Sequence, residues 1–208
     1  MSGVVIRPLR FTDDVDAMRR FLEGLGLRSR IESERGGWVD MLAGRGMVAL
    51  HDAASSSTGG QAGQTSLSFE AEKIDELVER LEHAGFGDAT VFDEAYGRVL
   101  SVTGPDGVVI WVDERAEDMY GYKVHDADPD ERVEVTPYLS GADEPAWRRF
   151  LSAIGVDETV RFGPGAEFAV RLDLSTTEDD LQNRVQGTRT EHGLELTDPD
   201  GQLIVVHG

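Results

Sequence analysis

The 208-residue sequence contains no cysteine, only 20 lysines and arginines, and 7% aromatic residues. Without cysteine there can be no disulfide, thiolate nucleophile or Cys-ligated zinc or iron–sulfur cluster. Forty acidic residues against those 20 basic ones give a formal net charge of −20. No basic stripe is present to displace counterions from a phosphate backbone, so no nucleic-acid partner is expected. No segment approaches the ~18 apolar residues of a spanning helix, and the first ten residues lack the basic-then-apolar layout of a signal peptide. No membrane association is expected, and a cytoplasmic location is. Neither G-x-S-x-G nor H-E-x-x-H occurs, which leaves nucleophile-elbow hydrolases and zincins without support. Gly163-Pro164-Gly165 lacks the third glycine of a nucleotide fingerprint and reads as a turn.

What is present is patterning. At 39% hydrophobic, with alternation almost throughout, the chain can bury a core in one or two domains. Val15, Met18, Phe21, Leu22 and Leu25 form one helical stripe; Ile74, Leu77, Val78 and Leu81 a second; Trp147, Phe150, Leu151 and Ile154 a third. A fourth helix is expected to open at Thr177 and Asp180 before Leu181 and Val185. Strands are expected at 4–11, 27–34, 37–43, 46–52, 65–70, 89–94, 98–103 and 108–113. Two internal matches follow. Residues 17–26 (AMRRFLEGLG) align without a gap with 146–155 (AWRRFLSAIG), with Pro8 falling on Pro137. Residues 103–112 (TGPDGVVIWV) align with 197–206 (TDPDGQLIVV), each placing a Pro-Asp-Gly turn between two strands.

The order βαβββ, repeated, with a helix ending Phe-Leu-x-x-Leu-Gly and Pro-Asp-Gly before the last strand, resembles the vicinal oxygen chelate superfamily. That group includes glyoxalase I, extradiol dioxygenases and bleomycin-resistance proteins. The resemblance implies an α+β fold of paired βαβββ modules, glyoxalase/bleomycin-resistance-like, with a truncated second copy. Residues 1–114 are expected to form a complete two-module domain, 115–132 a linker, and 133–208 a shortened paralogous domain. The tract 53–63, rich in Ser, Gly and Ala, reads as a mobile connection between the first two modules. Only about ten residues follow the third helix before the next strand, too few for three strands of ~5–6 residues each.

Enzymes of the superfamily hold a divalent metal through His, Gln or Glu on the first and last strand of each module. Those places fall on Ile6, Ala49, Gln64 and Trp111, and in the shortened copy on Val135, Glu167 and Val205. Few of these offer a donor, so no metal, no other cofactor and no catalytic residue is expected. A ligand-binding face is expected instead, carrying Trp111 with Asp113 beside it, Gln64 and His51. The neighbouring strand adds either Trp38 and Asp40 or Val39 and Met41, according to the Gly44-Arg45-Gly46 turn, and the first pair is preferred. Indole faces and carboxylates suit a planar or cationic molecule, bound without chemistry as in bleomycin-resistance proteins. The alternatives are a metal-dependent lyase, isomerase or dioxygenase with relocated ligands such as Gln64, His51 and Glu167, and a non-catalytic protein-interaction module. An intrachain pseudo-dimer would bury the helix bearing Trp147 and Phe150; homodimerisation through the complete domain is the alternative.

Overall fold

A computed structural model describes residues 3–57, 59–94, 96–115, 118–176, 181 and 185–208. The first module comprises β1 (Val4–Ile6), β2 (Leu9–Thr12), α1 (Val15–Gly24), β3 (Arg28–Ser33), β4 (Trp38–Leu42) and β5 (Met47–Asp52). The second comprises β6 (Thr65–Ser66), β7 (Ser68–Ala71), α2 (Ile74–His83), β8 (Thr90–Glu94), β9 (Gly97–Thr103) and β10 (Val109–Glu114). Each opening strand is broken in two because it serves two sheets. Proline at position 8 lacks the N–H that would continue the ladder. Upstream of it β1 joins the sheet β1-β7-β10-β9-β8, and downstream β2 joins the other, in which β3-β4-β5-β2-β6 are consecutive. Within each module the first and last strands are parallel neighbours, β2 with β5 and β7 with β10.

The segment expected as linker is partly ordered into the first sheet, since β11 (Tyr122–Val124) pairs antiparallel with β3. Nor is the 53–63 tract a free tether: Gly60 lies against the Phe11 ring, with its N–H on Ser56 Oγ at 3.2 Å. The rest of the chain supplies β12 (Val133–Val135), β13 (Tyr138–Ser140), α3 (Glu144–Ile154), β14 (Arg161–Gly163), β15 (Ala169–Arg171), β16 (Leu174–Thr176), β17 (Thr188–Thr190), β18 (Gly193–Thr197) and β19 (Leu203–His207). They form the sheets β12-β16-β19-β18-β17 and β14-β13-β15. The expected fourth helix at Thr177 and Asp180 lies outside the described residues.

The shortening has a definite form. Because β14 lies parallel to β13, as β5 does to β2, the third module keeps its first and last strands and lacks the hairpin that β3 and β4 form in the first. Helix α3 therefore has fewer strands of its own to cover, and its apolar stripe packs on the other half of the chain. Trp147 and Phe150 are fully buried; Phe150 meets Phe86, just after α2, edge-on at 5.0 Å. Trp147 stacks on Phe168 and donates its indole N–H to Asp106 Oδ2 at 2.8 Å.

Both Pro-Asp-Gly turns make equivalent contacts. Asp106 also accepts the backbone N–H of Asp143, the N-cap of α3. Asp200, its counterpart, accepts the N–H of Asp13 and the hydroxyl of Thr12 just before α1. One apolar core runs through the whole, from Met18, Leu22 and Met41 to Leu174, Ile204 and Val206.

Candidate functional site

The helix-facing side of the first sheet is apolar: Val39, Met41, Val48 and Leu50 join the core with Met18 and Leu22 of α1. Strand alternation then turns Trp38, Asp40, Ala49 and His51 to the opposite face. Val39 and Met41 thus face the helix, and Trp38 and Asp40 face away from it. In the other sheet, Leu100, Val102, Ile110 and Val112 face α2, which leaves Val109, Trp111 and Asp113 on the far side. These two inner faces look at each other, for Arg7, at the break between β1 and β2, bridges them. Its guanidinium donates to Asp40 at 3.2 Å and to Asp113, and lies 5.6 Å from the Trp38 ring.

A chain of alternating charges extends from there. Arg30 approaches Asp40 at 3.6 Å and binds both oxygens of Glu70, which also accepts from Arg115 Nε at 2.8 Å. Arg115 continues to Glu72 at 2.8 Å. Asp40 is fully buried, and that desolvation raises its carboxyl above the usual range against the pull of Arg7 and Arg30. Burial would raise Glu70 too, but hydrogen bonds from Arg30 and Arg115 outweigh it and hold its carboxyl low. The carboxylates expected to attract a cationic ligand therefore already hold one, supplied by the chain. Sequence reasoning passed over Arg7, although two arginines in the otherwise apolar run VVIRPLRF were the available signal.

Around this polar centre the aromatic residues divide. His51 sits between Phe11 and Trp38, ring centroids 5.7 Å from each, with Nδ1 2.7 Å from the Asp52 carbonyl oxygen. Trp111 stands edge-on to Phe92 at 5.5 Å and is 40% exposed, with Val109 on the same face 49% exposed. Gln64 does not join them. It precedes β6, is exposed, and its Oε1 accepts from Gln61 N at 3.2 Å.

The chelating places implied by the resemblance shift accordingly. Ile6 belongs to the helix-side core; the first-strand residues paired with Ala49 and Trp111 are Leu9 and Ser68. In the shortened copy Tyr138 pairs with Arg161, and Asp173 lies beside Val205. Asp173, also missed from sequence, accepts from Arg171 Nε and NH2 at 2.7 Å each and from Val205 N at 3.2 Å, with His207 Nε2 at 3.0 Å. Glu167 is exposed. These places give a metal too few N or O donors, Asp173 being already saturated and Glu167 standing exposed. Among the described residues, no three His, Asp or Glu side chains converge on a point that could hold a metal ion. The donor set does not fit a resident divalent cation. Among those residues, too, no helix is long and apolar enough to cross a membrane.

No family model matches the sequence, and no curated protein is significantly similar to it. Solved structures do resemble the fold. A catechol 2,3-dioxygenase superposes with a TM-score of 0.62 at 13% identity, covering 98% of this chain and 86% of that one. An extradiol ring-cleaving dioxygenase from B. fuscum gives 0.62 at 13%, covering 98% and 70%. The 2,2',3-trihydroxybiphenyl 1,2-dioxygenase of Sphingomonas wittichii gives 0.57 at 12%, covering 98% and 88%. With its broken opening strands, parallel first-and-last strand pairs and mixed sheets, the chain has the fold of the vicinal oxygen chelate superfamily in two tandem copies, the second shortened.

Proposed function

We propose that the protein binds a small planar organic molecule, without a resident metal, on the inner face where Trp111, Phe92 and Val109 meet solvent. The observation that carries this reading is Trp111: an indole 40% exposed and braced edge-on by Phe92, on the face opposite the helix. Large apolar side chains left together in water mark contact surfaces more often than chance. Trp38, His51, Asp40 and Asp113 have a supporting part, since they fix Arg7 and the shape of the floor. Because Asp40 and Asp113 are already engaged by Arg7, stacking rather than ion pairing selects the ligand. Titration with uncharged planar aromatic compounds, which lack the carboxylate, followed by tryptophan fluorescence and thermal shift, is expected to give saturable binding that Trp111→Ala abolishes. Tyr120→Ala, at a residue 93% exposed, serves as the control and leaves it unchanged. Binding that survives Trp111→Ala refutes the reading.

The second reading is a metal-dependent dioxygenase, lyase or isomerase. It is favoured by the similar solved structures, which are dioxygenases. Elemental analysis of protein purified without chelators decides between the two: a stoichiometric iron, manganese, nickel or zinc content overturns the metal-free reading.

A further inference from the structure

A cleft of about 520 Å³ opens at the other end of the ion-pair chain, between the β4–β5 turn, the start of β1 and the segment following α3. Its lining is unusual for so acidic a chain. Arg30, Arg45 and Arg115 border it, Glu158 is the single acidic lining residue among the described residues, and Val5, Leu42 and Val156 contribute apolar wall. The arginine side chains remain reachable, at 21%, 61% and 40% exposure respectively. A guanidinium carries five N–H donors. Arg30 uses two on Glu70, and Arg115 uses two, on Glu70 and Glu72. Both keep donors for an incoming acceptor.

The carboxylates behind these arginines differ in strength. Glu70 is buried and keeps Arg30 and Arg115 in place. Glu72 and Glu134 are 55% and 40% exposed, and Glu134 stands 3.6 Å from Arg45, so both pairs are weak and exchangeable. We infer that this cleft is a binding site for a small organic carboxylate, its oxygens on Arg115 and Arg45 and its hydrocarbon body on the Val5, Leu42 and Val156 wall. The planar forks of arginine favour a carboxylate's two-oxygen edge, and the apolar wall favours an organic acid over inorganic phosphate. This site is separate from the Trp111 face.

Calorimetric titration of the full chain with benzoate, benzamide and inorganic phosphate tests it. Saturable binding of benzoate is expected, with at least tenfold weaker binding of the amide and of phosphate. Arg45→Gln, outside the Glu70 network, and Arg115→Gln should each weaken benzoate at least tenfold, whereas Trp111→Ala should leave it unchanged. Raised salt should weaken benzoate binding. Equal binding of benzoate and benzamide, loss on Trp111→Ala, indifference to Arg45→Gln, or no saturable benzoate binding overturns the assignment.

Discussion

Arg7 joins two sheets through charge, since its partners Asp40 and Asp113 come from different modules. Removing one member of a buried pair leaves the other desolvated and unpaired, at a cost of about 3–5 kcal/mol. Arg7→Leu is therefore expected to lower the stability measured by urea unfolding by about that amount, and Arg7→Leu with Asp40→Leu to recover part of it. Glu70 gives a pH signature. Its folded carboxyl titrates below the ordinary 4.5, so its stabilisation is present above that value and lost as pH falls through the depressed one. The stability gap between wild type and Glu70→Gln should be full near neutrality and close below pH 4.5. Asp40 has the opposite sign: its carboxyl is raised, so the stability linked to it is present below the ordinary range and declines as pH rises through the raised value.

Helix α3 shows how an element survives the loss of its usual partners. Its N-cap Asp143 accepts from Ala146 N, and it ends on Gly155, whose φ of 92° suits a residue without a Cβ. With the middle hairpin of its module missing, Trp147 and Phe150 pack against Phe86 and the Asp106 turn. Trp147→Ala is expected to cost about 3–5 kcal/mol in urea unfolding, as for other large core truncations. Trp147→Phe keeps the stack on Phe168 but leaves Asp106 without its indole donor, and should cost a smaller ~1–3 kcal/mol.

At the scale of the molecule, the duplicated turns have diverged to fit one another's neighbours. Gly104 in the first becomes Asp198 in the second. A Cβ at Gly104 would crowd Ile110 Cγ1 at 3.3 Å, whereas Asp198 bonds to Arg10 and organises its own turn by accepting from Gln202 N at 2.8 Å. Arg10 and Asp198 are both buried, so salt screens them little. Asp198→Ala should destabilise the chain by about 3–5 kcal/mol, and the loss should be nearly the same in thermal scans at low and high salt.

The sequence by itself determined the module order, the duplication and the helix faces, because apolar spacing at 3.6 and 2 residues reports which side of an element is buried. Trp111 and Asp113 were also legible as neighbours on one face, since they stand two apart on a strand. Other properties depend on pairing across the chain, which no local pattern encodes. Tertiary structure alone decided that Arg7 occupies the space between Asp40 and Asp113, and that Gln64 turns away. It also decided that β11 extends a sheet, and that arginines 30, 45 and 115, up to 85 positions apart in the sequence, border one cleft. A charge is read from sequence as a sign; whether it meets water, a ligand or an opposite charge is fixed only when distant strands come within hydrogen-bonding range.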